Sequence, residues 1–225
     1  MSATSRPRRR IAHAPAIDGV SWWRGAPITA PVPVPLPFAL HPYRPFSGDE
    51  APHLGAILET NPPLWRDDLV QALRDCGVHN FETYAVAIHN PDNRGVIDDL
   101  HRELREAGVG DVERYLREIG HTDLDEWIDP APGAIFSHYK AVNILGLVSA
   151  VDLGEGAVSE AVDLASAGGP PDPVTTDART PDGLKLFRLV ESPNAILVHA
   201  SLRDALLARG FGSDVAFHDL KEAAL

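Results

Sequence analysis

The chain is expected to fold as an α+β protein: a single domain with a mixed, largely antiparallel sheet packed by short helices. Three observations carry this expectation. A helix–glycine–strand unit is written twice, strand-like runs outnumber the helical ones, and the two kinds do not alternate as regular βαβ units would. In the repeat, Asp68 to Gly77 precedes a strand over Phe81 to Ile88, and Ser201 to Gly210 precedes one over Val215 to Phe217. At a constant offset of 133 residues, Leu69 matches Leu202, Ala72 matches Ala205, Leu73 matches Leu206 and Gly77 matches Gly210. Asp68 and Ser201 are the expected N-caps, since such side chains accept bonds from orphan amides. The two glycines are the expected C-caps, because glycine reaches the left-handed conformation without steric cost.

Residues 1–20, with Arg6, Arg8, Arg9 and Arg10, read as a flexible basic tail, and 21–225 as the domain. The tail lacks the uninterrupted apolar core of an export signal. Trp22 and Trp23 open the ordered part. From Pro31 to Phe38 proline alternates with apolar residues. A polyproline ligand is one reading. An extended segment at a protected sheet edge is the favoured one, since prolines on alternate residues leave the amides of Val32, Val34 and Leu36 free to pair on the other side.

Pro62-Pro63 precedes a helix expected over 64–76, and 81–89 reads as a strand with Tyr84, Val86 and Ile88 on one face. From Gly95 to Pro130 the period becomes helical. Ile97, Leu100, Leu104 and Ala107 recur before Gly108, Val112, Tyr115, Leu116 and Ile119 recur before Gly120, and a short turn follows around 124–128. Tyr139 to Val151 is the most apolar run and reads as one strand buried on both faces. Leu184 to Val190 and Ala195 to His199 read as paired strands around the turn Glu191–Asn194.

Composition bounds the function. With 225 residues, 44% of them hydrophobic, a substantial core is available. A net charge of −12 speaks against a general nucleic-acid binder, which needs clustered Lys and Arg. No apolar run reaches the roughly 20 residues of a membrane span. The expected location is the cytoplasm. The lone cysteine, Cys76, excludes an intramolecular disulfide. It sits next to the C-terminal end of its helix, where the dipole disfavours a thiolate, so it reads as structural.

No active-site motif emerges. The stretch His121 to Glu126 lacks the fixed spacing of a zinc helix and the glycine of a calcium loop, and capping explains its acids. Ser137-His138 has no nucleophile elbow around it. Gly154-Glu155-Gly156 lacks the third glycine of a dinucleotide fingerprint. No cofactor and no metal is expected. More distinctive is the acidic segment 95–130, where 11 acids stand against four arginines and supply seven of the chain's 12 net negative charges. Solvated helix faces with i,i+4 pairs such as Asp98–Arg102 account for such a segment; so does a surface presented to a basic partner. Its candidate residues are Asp98, Asp99, Glu103, Glu106, Glu113, Glu118, Asp123, Asp125 and Glu126.

The run Tyr139 to Leu153 resembles the Y-x-x-x-N-x-x-G-x-x-x-A-x-D stretch of an immunity-protein family from bacterial polymorphic toxin systems, number eleven in that classification. Leu186 to Leu189 through Ile196 to Val198, Leu202, Leu206 and Phe217 resembles its C-terminal signature. Leu69 to Glu82 resembles its earlier helix–strand segment, and Trp22 to Gly25 its start. The resemblance covers about residues 20–94 and 137–219, leaving 95–130 as an insertion. Its matched positions are core and turn residues and transfer no catalytic or binding role. It implies a protein that binds and neutralises a cognate toxin without catalysis. That partner would have a basic surface, with neither nucleic acid nor membrane involved. The alternative is an enzyme acting on a small molecule or reversing a toxin's modification.

Overall fold

A computed structural model describes residues 10–42, 54–118, 131–149, 174–176, 180 and 183–219. The architecture is α+β, with two mixed sheets packed by short helices; the first is largely antiparallel as expected, whereas the second is largely parallel. The strands are β1 (Ile11–His13), β2 (Leu36–Leu40), β3 (Ile57–Leu58), β4 (Leu64–Arg66), β5 (Phe81–His89), β6 (Ile135–Phe136), β7 (Tyr139–Ile144), β8 (Leu147–Val148), β9 (Val174–Thr176), β10 (Leu186–Leu189), β11 (Ile196–His199) and β12 (His218–Asp219). The helices are α1 (Asp67–Asp75), α2 (Arg94–Glu106), α3 (Val112–Glu118) and α4 (Ala200–Ala208). One sheet has the order β1-β2-β5-β7-β4-β3, with β6 also on β5; the other runs β12-β9-β11-β10-β8.

The sequence repeat is a repeat of topology. Both β4-α1-β5 and β11-α4-β12 are split βαβ units, each holding a third strand between its two own strands. The intruder is β7, antiparallel to both neighbours, in the first copy, and β9, parallel to both, in the second. Leu64 and Tyr84 both lie opposite Ala141, while Leu197 and His218 both lie opposite Val174. Helix α1 packs on β7 and α4 on β9. Their apolar faces (Leu69, Val70 and Leu73; Leu202 and Leu206) meet Trp65, Val142, Leu186 and Val198 in one core shared by both sheets.

The helix expected over 64–76 covers only Asp67–Asp75, because 64–66 form strand β4, and each helix nevertheless starts earlier than its expected cap. Strand β4 runs directly into α1 and β11 directly into α4, so the caps are the last strand residues, Arg66 and His199, both extended. Asp68 therefore lies in the first turn, bonding the Leu69 amide at 2.8 Å. His199 Nδ1 accepts the Ser201 amide at 3.2 Å. The expected N-caps were displaced because no loop separates strand from helix. The glycine stops are as expected: Gly77 and Gly210 have φ +79° and +90°. At the first, Gly77 N–H donates to Arg74 and Val78 N–H to Leu73, a Schellman pair. After Gly210 the chain makes a 3-10 turn (Phe211–Ser213), so the second strand lies at 218–219 rather than 215–217.

Three further expectations are corrected. The described part of the N-terminus is no tail up to residue 20: β1 pairs with β2, and Ile11, Ala14, Ile17 and Val20 pack on the core, whose apolar contact outweighs the ordering cost. The proline alternation gives a strand only from Leu36, and β2 is flanked by β1 and β5 rather than lying at an edge. Pro37 lies beyond the reach of β1, whose pairing covers Ala39 and Leu40 only. The apolar run 139–151 is two strands in two sheets, parted at Gly146 with φ +101°. Both faces of β7 are buried: Tyr139 and Ala141 face one core, Val142 and Ile144 the other.

The expected hairpin between β10 and β11 is present, with Ala195 N–H closing its turn onto Ser192 O. The repeat halves are also tied side by side. Arg66 donates to both oxygens of Asp68 (2.8 and 2.9 Å) and to Asp214 (2.7 Å), across the two copies. Cys76 and Arg209, equivalent positions in the repeat, touch each other: Arg209 Nη1 lies 3.4 Å from Cys76 Sγ. Lys185 Nζ caps the Cys76 carbonyl, a cation at a helix C-terminus.

Candidate functional site

The acidic helices are an excursion from a hairpin. Strands β5 and β6 pair antiparallel at Ile88–Phe136 and His89–Ile135, and the ladder continues through Asn90 N–H to Ala134 O and Gly133 N–H to Asn90 O. Asn90 Nδ2 also holds Ala131 O at 2.8 Å. The chain thus leaves and returns at one clasp. Between its ends Ile97, Val112 and Leu116, with Leu100, Leu104 and Val109, make a small core separate from the main ones. Gly108 stops α2 at φ +90°, and Val109 N–H closes on Leu104 O. Tyr115, expected on the apolar stripe, is instead 39% exposed.

Asp98, Asp99, Glu103 and Glu106 on α2, and Glu113 and Glu118 on α3, are all exposed. Asp123, Asp125 and Glu126 lie outside the described residues. So does most of the segment's charge, since 95–118 holds seven acids against four arginines. Arg102 bonds Asp99 at 2.5 Å, three residues back, rather than the expected Asp98, and Arg114 bonds Glu118 at 2.9 Å. Asp98, Glu103, Glu106 and Glu113 take part in no ion pair found among the described residues. Exposed pairs of this kind contribute about 0–1 kcal/mol each, so the two that form add little to stability.

A second polar constellation lies on the opposite face of β5 and β7 from the helices. One oxygen of Glu82 accepts three bonds: from Asn143 Nδ2 (2.9 Å), Tyr84 Oη (3.0 Å) and the Ile28 amide (3.1 Å). Burial pushes the Glu82 carboxyl up, but the Asn143, Ile28 and Tyr84 donors together outweigh it and hold the pKa below 4.5. Tyr84 is pushed up to about 12, by burial and then by its bond to Glu82. Asn143 Nδ2 also donates to Ala26 O, and Trp22 stands edge-on to Tyr84 at 5.4 Å. These contacts hold residues 22–28 as a strap across the sheet.

Glu82 therefore sets an acid sensitivity. Its folded pKa is depressed, so its contribution is fully present above its ordinary value near 4.5 and is lost as pH falls through the folded value. Unfolding by urea at pH 6 and pH 3 is expected to show a smaller acid loss in Glu82→Gln than in the unsubstituted protein. Equal losses would show that the carboxylate is not held in its charged form.

Of the other residues singled out in the sequence, His138 packs its ring on Phe136 and Tyr139, and its carbonyl accepts the Asp67 amide. The stretches 121–126 and 154–156 lie outside the described residues. Among the described residues no three His, Cys, Asp or Glu side chains gather as metal ligands would, and no helix is long and apolar enough to cross a membrane. Glu82, Asn143 and Arg188 were missed as polar positions of interest. The signal was a charged or amide side chain within each apolar strand run.

Against known proteins, no family model, no curated protein and no solved structure matches the chain. The resemblance to the immunity family thus stands on its motifs alone.

Proposed function

We propose that this is an immunity protein, which binds a cognate bacterial toxin tightly and neutralises it without catalysis. The observation that carries the reading is the α2–α3 excursion. It stands on a core of its own, with six candidate acids exposed and most of them outside ion pairs. Such an element can vary without disturbing the two main cores, which suits a surface that must match one partner. Its negative field attracts a basic face and speeds encounter, and the exposed Tyr115 offers the aromatic anchor that interfaces favour. The motif resemblance supplies the class of partner, and the place of action is the cytoplasm.

The test is co-expression with the toxin encoded by the adjacent gene. Survival and a co-purifying complex are expected, whereas continued killing without a complex sinks the reading. A finer test replaces Asp98, Asp99, Glu103 and Glu106 by their amides. The on-rate for the toxin is expected to fall by about tenfold at low salt and to lose much of its salt dependence. Unchanged rates at both salt concentrations would place the interface elsewhere.

A further inference from the structure

Arg188 is a fully buried cation with no carboxylate paired to it among the described residues. It sits on β10 between Leu147 of β8 and Ile196 of β11, and its side chain is 0% exposed. Nη1 is used: it donates to Pro193 O at 2.5 Å, with Asn194 O at 3.4 Å, closing the β10–β11 turn. Trp23 of the strap covers the guanidinium face, 4.9 Å from ring centroid to Cζ. Nε and Nη2 have no hydrogen-bond partner among the described residues.

Those two nitrogens are the pair that point the same way along one edge of the guanidinium plane. That edge matches the two oxygens of a carboxylate in fork geometry. The molecule itself provides the comparison: Arg66 presents the same Nε and Nη2 to Asp68, one nitrogen to each oxygen, at 2.8 and 2.9 Å. Leaving such an edge buried and unmet costs more than a neutral orphan, because the group is charged. Burial accordingly lowers the Arg188 pKa, to about 10, which still leaves it a cation at neutral pH.

We propose that the Nε–Nη2 edge of Arg188 is a receptor for the carboxylate of a small apolar acid. The edge takes the carboxylate in plane, and the neighbourhood takes the apolar body. Leu147 and Val190 are 36% and 53% exposed, and Trp23 is itself half-buried. The Gly25 carbonyl, two residues on, accepts the Gly146 amide at 2.7 Å and ties the strap to the β7–β8 junction. This site is independent of the acidic excursion and of any toxin.

The test reads Arg188 directly in the full-length protein, by through-bond assignment of its Nε–H resonance and titration with acetate, benzoate, inorganic phosphate and chloride at constant ionic strength. A saturable downfield shift is expected with both carboxylates, benzoate saturating at the lower concentration, and none with chloride. Thermal unfolding is expected to rise with benzoate in the unsubstituted protein and to stay level in Arg188→Lys, which keeps charge but loses the planar edge. If that variant fails to fold, the resonance decides alone. A response to phosphate but to neither carboxylate overturns the proposal. So does a resonance that is already downfield without ligand and unmoved by any acid, for then the edge is met within the protein.

Discussion

Trp65→Ala is expected to remove about 3–5 kcal/mol of stability, the range for truncating a large buried aromatic. Trp65 is 2% exposed and sits on β4, where the first βαβ unit begins. It lies edge-on to Phe81 at 6.3 Å and belongs to the core that joins both sheets and both repeat helices. Its removal therefore opens a cavity where no single element can collapse to fill it. A domain with about 5–15 kcal/mol to lose would be left marginal. Trp65→Phe is expected to be far milder. The indole Nε1 has no hydrogen-bond partner among the described residues, so phenylalanine deletes a buried orphan donor worth roughly 1–3 kcal/mol along with the lost volume. Urea unfolding followed by far-UV circular dichroism separates the two. A loss below about 1 kcal/mol for Trp65→Ala would show that the shared core is not organised around this side chain.

Local chemistry made the repeat legible, and tertiary chemistry hid its boundaries. The glycine stops were read correctly because a left-handed residue is a local requirement, met at Gly77, Gly108 and Gly210 alike. The caps were misplaced because a strand that feeds a helix without a loop needs no Asp or Ser at the junction. Arg66 and His199 do not look like caps in sequence, and only the topology makes them so. Nor could an offset show that a foreign strand would enter each copy, since β7 and β9 come from segments outside the repeat. Gly146 was read through as part of one apolar strand. Hydrophobicity is equally high on both sides of it, and the break is a matter of which sheet each half joins.

The candidate site was legible in a different degree. Clustered like charge is visible in any sequence, so the acids of α2 and α3 were found, and their exposure follows from the helical period. Which partner Arg102 would choose was not visible. Asp98 and Asp99 are both within helical reach, and the three-residue spacing prevails. Glu82, Asn143 and Arg188 lay inside runs read as core. A charged residue in such a run must be met by something, and two of the three donors that meet Glu82, the Ile28 amide and Asn143 Nδ2, lie more than 50 positions away.

Gly25→Ala tests that strap, and its outcome is bounded from both sides. Gly25 has φ +61°, which costs an alanine about 1–2 kcal/mol, and a β-carbon there would stand 2.7 Å from Leu147 Cγ and 3.0 Å from Gly146 C and Leu147 N. Two of those three neighbours are backbone, and the Gly25 carbonyl is already bonded to the Gly146 amide, so the strap cannot draw back without losing that bond. Overpacking of this kind adds about 1–3 kcal/mol. The sum, about 2–5 kcal/mol, is capped by the free energy of docking the strap, because the chain can lift instead of tolerating the clash. Expected results are a stability loss within that range, faster hydrogen exchange at the Gly146 amide and a changed tryptophan emission as Trp22 leaves Tyr84. Gly77→Ala is the control: its φ is +79°, yet nothing lies within 4 Å of the added carbon, so only the conformational cost of about 1–2 kcal/mol applies. Equal losses in the two variants, with Gly146 still protected, would mean that the strap does not press on the β7–β8 junction. A larger loss in Gly25→Ala than in Gly77→Ala, with Gly146 exposed, would mark residues 22–28 as the clamp over the point where the chain passes from one sheet to the other.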